Sequence, residues 1–254
     1  MAHIWKYPDG DAAVEALADC LTSDIRRTLS RQACYRWALA GGSTPGRLYR
    51  RLARPDAAGL IDWGRMRLFW GDERCVPPGD PQSNYRMARE SFLDAVPIPV
   101  GNIFPIDGTL DPERSAEAYA AVLGEKPLDC VLLGMGDDGH TASLFPDTPR
   151  LREECRTVIA SRSPVPPVHR VSLSLRSINA ARCVLFLVLG NHKDVAVARV
   201  MDQLGRKDAF LPAAMVDPGR GALHWFLDQD AAALLNRESQ AVSIENTIRR
   251  RTEP

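Results

Sequence analysis

The feature that most constrains this chain is a series of short apolar runs set between segments of helical periodicity. Cys34–Leu39, Met66–Trp70, Asp129–Leu133, Cys183–Leu189 and Leu223–Leu227 are each about one strand long and largely apolar. Such runs suit strands covered on both faces. Between them, Asp11–Leu29 places Val14, Leu17, Ala18, Leu21, Ile25 and Leu29 at three- and four-residue steps, the spacing of an amphipathic helix. Pro45–Leu52, Pro112–Leu123, Lys193–Leu204 and Asp228–Asn236 read as further helices, Asn84–Asp94 as one capped by Ser83, and Val168–Leu173 as another strand. This alternation predicts an α/β fold with a doubly wound, mainly parallel sheet and helices on both faces.

Composition narrows the class. The 254 residues carry 32 Lys plus Arg against 32 Asp plus Glu, a balance that gives neither the basic field of a nucleic-acid binder nor an acidic tail. No apolar run approaches the roughly 20 residues that cross a bilayer. The opening MAHIWKYPDG lacks the basic and apolar stretches of a secretory signal. The six cysteines, Cys20, Cys34, Cys75, Cys130, Cys155 and Cys183, are scattered, as expected of reduced thiols in a cytoplasmic protein. No repeat or break in composition divides the chain, so residues 1–236 are expected to form one domain with an insertion. Residues 237–254 read as a polar tail ending in Arg249–Arg251. The Pro-rich Ser163–Pro167 reads as a rigid loop, and a monomer is expected because no apolar exposed helix demands a partner.

In an open parallel sheet, ligands bind beyond the carboxyl ends of the strands, which directs attention to four segments. Ala40-Gly41-Gly42-Ser43-Thr44-Pro45-Gly46 joins a strand to a helix; its glycines let backbone N–H groups approach an anion, Thr44 can cap the helix, and Pro45 suits its first position. No Lys-Ser/Thr pair follows, so it is not a nucleotide-hydrolysing phosphate loop. Trp70-Gly71-Asp72-Glu73-Arg74 leaves the next strand; Arg74 can pair with phosphate, and Asp72 can orient a hydroxyl or a catalytic imidazole. Gly134-Met135-Gly136-Asp137-Asp138-Gly139-His140 is spaced like a dinucleotide-binding turn, yet Asp137 and Asp138 would sit where a pyrophosphate must lie, and Pro146 interrupts the following helix. The segment instead projects Asp138 and His140 from a tight turn, a carboxylate beside a base suited to proton transfer near neutrality. A metal site from Asp137, Asp138 and His140 lacks a second cluster to complete it. Finally, His169-Arg170 and Asn191-His192-Lys193 add cations that, with the glycine loop, can surround a phosphate.

These segments, taken in order, resemble the 6-phosphogluconolactonase family of the pentose phosphate pathway. The resemblance runs from Val14 to Asn236 and is carried most specifically by Gly134–Pro146. It implies a Rossmann-like sheet with a small added subdomain, shared with glucosamine-6-phosphate deaminases, ribose-5-phosphate isomerases and sugar-phosphate sensors. It also implies a carboxylic ester hydrolase that opens 6-phospho-D-glucono-1,5-lactone to 6-phospho-D-gluconate with no cofactor and no metal. By the same resemblance His140 would be the general base, Asp72 and Asp138 would hold the imidazole or the sugar hydroxyls, and Gly42, Ser43, Thr44, Arg74, Arg170 and Lys193 would bind the phosphate. Neither Ser43 nor Ser143 lies in G-x-S-x-G, which disfavours an acyl-enzyme. The related deaminases continue after the histidine into a segment bearing a glutamate, whereas this chain has Ala142-Ser143-Leu144-Phe145-Pro146. A non-catalytic sensor would carry a DNA-binding helix-turn-helix, and none is legible here. His192 beside Lys193 is a second histidine near the proposed pocket, an alternative base.

Overall fold

The computed structural model describes residues 2–235; the expected tail 237–254 lies outside them. The chain runs β1 (Ala2–Tyr7), α1 (Gly10–Leu29), β2 (Tyr35–Leu39), α2 (Ser43–Leu52), α3 (Pro55–Ala58), β3 (Met66–Trp70), β4 (Asp72–Arg74) and α4 (Asn84–Ala88). It continues through α5 (Pro112–Leu123), β5 (Cys130–Leu133), β6 (Val158–Arg162), β7 (His169–Leu173), α6 (Leu175–Asn179), β8 (Cys183–Val188), α7 (Asp194–Gln203) and β9 (Ala222–Asp228).

Six strands form a sheet in the order β1-β9-β8-β5-β2-β3, with every neighbouring pair parallel. α1 packs against α2, and α2 in turn against α3 and α4; crossovers that run in opposite senses along a parallel sheet fall on opposite faces. The chain leaves β2 for β3 on one side and returns to β5 on the other. That reversal opens a crevice between the loops that follow β2 and β5. A second sheet, β4-β7-β6, is antiparallel and forms the added subdomain.

The buried runs behave as expected: every residue of β2, β5 and β8 is buried. Aromatic side chains fill the space beneath α2, with Trp37, Tyr49 and Phe92 in mutual contact and Trp63 against Phe92. On the other half of the sheet Phe186 and Trp225 stack with ring centres 3.8 Å apart. Among the described residues no helix is long and apolar enough to cross a membrane.

Several expectations are corrected. Val168–Leu173 is a strand of the antiparallel sheet, not of the parallel one, because an apolar run carries no information on pairing direction. The helix expected at Asp228–Asn236 is absent from its described part: β9 extends to Asp228, whose carboxylate accepts from the backbone N–H of Gly190 and Ala231 and holds 229–234 in turns. α2 opens at Ser43 rather than Pro45, with Gly42 as its cap and no side-chain cap from Thr44. Gly42 has φ +99°, a conformation that turns the chain into the helix without a capping side chain. Lys193–Leu204 begins as a tight turn over Asn191–Lys193 before α7. Strands β1, β4 and β6 were not anticipated.

One polar network ties α1 to the amino end of the sheet. Asp24 is largely buried; it accepts from the Tyr35 hydroxyl at 2.6 Å, from Arg182 at 2.6 and 3.0 Å and from Arg27 at 2.6 Å. Burial by itself would raise this carboxyl, but the hydrogen bonds from Arg182 and Tyr35 outweigh it and hold the group below its ordinary value. Its contribution to stability is therefore present above the ordinary carboxylate range and is lost as pH falls through the lowered value. With Arg182 partly exposed, Asp24→Ala should cost about 2–4 kcal/mol in denaturant unfolding near neutrality, and the gap from the parent chain should close in acid.

Candidate active site

The crevice predicted by the strand order is a cleft of about 300 Å³ lined by Ala40–Pro45, by Gly71, Asp72, Arg74 and Asn84, by Leu132–Gly136, His140 and Ala142, and by Leu187–Leu189, His192 and Lys193. These residues come from the carboxyl ends of β5 and β8, from the segments that follow β2, β3, β5 and β8, and from the start of α4.

After β2, Gly41 and Gly42 carry the chain into α2. The first N–H groups of a helix have no partner within it, so those of Ser43 and Thr44 end the cleft with partial positive charge. Gly41 is required for space, since a side chain there would collide with the Asn84 amide.

After β5, the turn Gly136–His140 is closed by bonds from Gly139 N–H to Gly136 O at 3.0 Å and from Gly136 N–H to His140 O at 2.9 Å. Gly139 has φ +82°, and a methyl group on Gly136 would collide with the His140 ring. Asp138 Oδ1 accepts from the backbone N–H of His140 at 3.0 Å and lies 2.6 Å from its Nδ1. Burial alone would raise the Asp138 carboxyl, but these bonds from His140 pull it down to about 2. The carboxylate is thus ionised at working pH and accepts a hydrogen bond from Nδ1–H, which leaves Nε2 with a free lone pair. Phe145 packs against the imidazole, ring centres 4.7 Å apart. Ala142, at φ +48°, reverses the chain and returns Ser143 toward Asp72.

After β3, two neighbouring carboxylates have separate tasks. Glu73 points away from the cleft and accepts from the N–H groups of Arg74, Asn84 and Tyr85 and from the Ser83 hydroxyl, at 2.7–3.0 Å. Burial raises its carboxyl in spite of those bonds. Asp72 faces the cleft and accepts from the Ser143 hydroxyl at 2.6 Å and from Asn84 Nδ2 at 3.2 Å. Asp72 therefore hydrogen-bonds to Ser143 and Asn84, and Asp138 is the carboxylate that hydrogen-bonds the imidazole. Ser143 and Asn84, given no part in the site by sequence, fix Asp72 and join the loops after β3 and β5. The Ser83-Asn84 helix start was the available signal for Asn84, but capping alone did not reveal its second contact.

Of the expected cations, Arg74 and Lys193 line the cleft and Arg170 does not. Arg170 sits beside Arg74 in register across β4 and β7. Burial, then the charge of Arg74, lowers its guanidinium, and the Nε atoms of both arginines are buried without a partner. Lys193 Nζ lies 2.6 Å from Asp137 Oδ1. His192 is also on the cleft wall. Among the described residues no group of three His, Cys, Asp or Glu side chains is placed to hold a metal ion.

Residues 8–225 match the family model described as glucosamine-6-phosphate isomerases/6-phosphogluconolactonase. A Synechocystis 6-phosphogluconolactonase is 39% identical over 228 residues, covering 86% of this chain and 92% of the relative. A human 6-phosphogluconolactonase is 39% identical over 213 residues, covering 80% and 82%. The solved 6-phosphogluconolactonase from Trypanosoma brucei superposes with a TM-score of 0.81 at 32% identity, covering 93% of this chain and 99% of that one.

The glycine contacts yield a sharp test. Gly136→Ala should displace the imidazole by an ångström or more and lower turnover about 10²-fold, while the thermal midpoint moves little because the turn is at the surface. An unchanged rate would mean that the position of His140 does not matter.

Proposed function

The chain belongs to the glucosamine-6-phosphate isomerase and 6-phosphogluconolactonase family and is an enzyme of the lactonase kind, and from that premise we propose that it hydrolyses 6-phospho-D-glucono-1,5-lactone to 6-phospho-D-gluconate with His140 as general base. The observation that carries this reading is the 2.6 Å contact of Asp138 with His140 Nδ1, in a cleft that also contains the open N-terminus of α2. In this reading His140 Nε2 takes a proton from water as the hydroxide adds to the lactone carbonyl. The imidazolium then gives that proton to the ring oxygen as its bond to C1 breaks. A lactone is an activated ester, so a positioned base, worth about 10²–10⁴-fold, and an anchored phosphate suffice. No covalent intermediate is needed.

The phosphate is read as lying against Gly42, Ser43 and Thr44, with Arg74 and Lys193 as its cations. Arg170, paired with Arg74 across β4 and β7, adds its positive charge behind the one that faces the dianion. Asp72, fixed by Ser143 and Asn84, has acceptor capacity left for sugar hydroxyls. Isomerisation with loss of ammonia is the second reading; the absence of a glutamate in Ala142–Pro146 favours hydrolysis. Residues 1–236 are read as one catalytic unit that acts as a monomer in the cytoplasm, on a small sugar phosphate and without nucleic acid.

The test is opening of freshly made 6-phosphogluconolactone, corrected for spontaneous hydrolysis, beside ammonia release from glucosamine 6-phosphate. The parent chain should accelerate only the first, and His140→Ala should lose about 10²–10⁴-fold in kcat. Full activity in that variant would move the base to His192. Lys193→Ala or Arg74→Ala should raise KM for the phosphorylated lactone about 10-fold or more, with little effect on unphosphorylated gluconolactone.

A further inference from the structure

The turn that carries His140 closes on itself, through the bonds from Gly139 N–H to Gly136 O and from Gly136 N–H to His140 O. Such closure fixes the shape of the turn but not its place in the cleft. Among the described residues two polar contacts reach 136–140 from elsewhere in the chain: Lys193 Nζ lies 2.6 Å from Asp137 Oδ1, and the Ala213 N–H donates to Gly139 O at 3.0 Å. The first stands just before α7 and the second beyond its end. Lys193 is also read as a phosphate cation, so its tie is shared with the ligand, whereas the tie from Ala213 is not.

The last residue of α7 sets where Ala213 lies. Gln203 is 9% exposed, and its Oε1 accepts from the backbone N–H of Phe210 at 3.0 Å and of Leu211 at 3.2 Å. Residues 204–211 have no strand partner, so this one side-chain oxygen meets two donors that regular structure leaves open. Leu211, held by its N–H, is buried and covers Gly139: a methyl group on that glycine would lie 3.2–3.4 Å from the leucine side chain. Leu211 O then accepts from the N–H groups of Ala214 and Met215, which winds the chain into the tight turn Pro212–Met215 and presents the Ala213 N–H to Gly139 O.

We propose that Gln203 is a positioning residue for the lactonase reaction, seating Leu211 and Ala213 on Gly139 and so fixing where the His140 imidazole stands, an inference that rests on His140 being the base assigned above. Gln203 does not line the cleft and reaches the substrate only through that turn. A displacement of about 1 Å in a reacting group can cost about 10²-fold, so a loosened seat is read in kcat. The glycine loop and Arg74 stand on other elements, and KM is spared.

The experiment compares Gln203→Met, which keeps the side-chain length and removes the acceptor, with Gln203→Glu, which keeps an acceptor oxygen for both N–H groups. Lactone opening is followed well below each variant's thermal midpoint, and the ring resonances of the five histidines are followed by NMR, with His140→Ala assigning that of His140. Gln203→Met should lower kcat about 10-fold, leave KM within about 2-fold and shift the His140 signals, and Gln203→Glu should recover most of the rate. A Gln203→Met chain with a lowered thermal midpoint but a kcat within about 2-fold of the parent's overturns the proposal, since the bonds would then serve stability alone. Equal loss of rate in both variants also overturns it, as does a KM that rises while kcat holds. If Gln203→Met does not fold, Leu211→Ala, which leaves the Gln203 oxygen in place and lifts the cover from Gly139, is judged by the same loss of kcat at constant KM. A parent chain that opens no lactone refutes the reaction; the His140 signals then decide the placement by themselves, and signals unmoved in Gln203→Met refute it.

Discussion

The constraint on which the rest of the structure depends is the parallel alignment of six strands whose connections reverse direction between β2 and β5. Parallel pairing sends the carboxyl ends of β2, β3, β5 and β8 to one edge, and the reversal parts the loops that follow them. Everything with chemical capacity in the cleft arrives by this route. The glycine loop brings a helix N-terminus, the strand after Gly71 brings Asp72 and Arg74, the turn after β5 brings Asp138 and His140, and the start of α7 brings Lys193.

Loops from four strands hold a reactive geometry only if something joins them. Here the joints are buried polar groups that hydrogen-bond across segments distant in sequence. Glu73 gathers the N–H groups at the start of α4 and so places Asn84. Asn84 reaches Asp72, and Ser143 reaches the same carboxylate from the loop after His140. Ser143 O in turn accepts from Ser161 of β6, which fastens the small sheet to the loop after His140. The antiparallel subdomain thus braces the cleft from outside the main sheet.

Much of this was legible in the sequence. β2, β3, β5, β8 and β9 lie within about two residues of their expected bounds, because a strand buried on both faces needs a continuous apolar run and few other elements do. The glycine loop and the Gly134–His140 turn were legible for a similar reason: their glycines meet local steric demands. β1 was missed because AHIWKY mixes polar and apolar residues, as an edge strand half open to solvent permits. The antiparallel placement of β7, the burial of Arg170 behind Arg74 and the joining of Asp72 to Ser143 depend on partners far away in sequence. No local pattern encodes such partners, so the imidazole was assigned two candidate carboxylates where the fold supplies one.

The central claim is that Asp138 acts through His140 and not independently. The most direct measurement is a double-mutant cycle in lactone hydrolysis, comparing Asp138→Asn, His140→Ala and the pair. If Asp138 serves only to fix the tautomer and steady the imidazolium, the double variant should be no slower than His140→Ala alone. A double variant slower by the full product of the two single losses would contradict the account and give Asp138 a role of its own on the substrate.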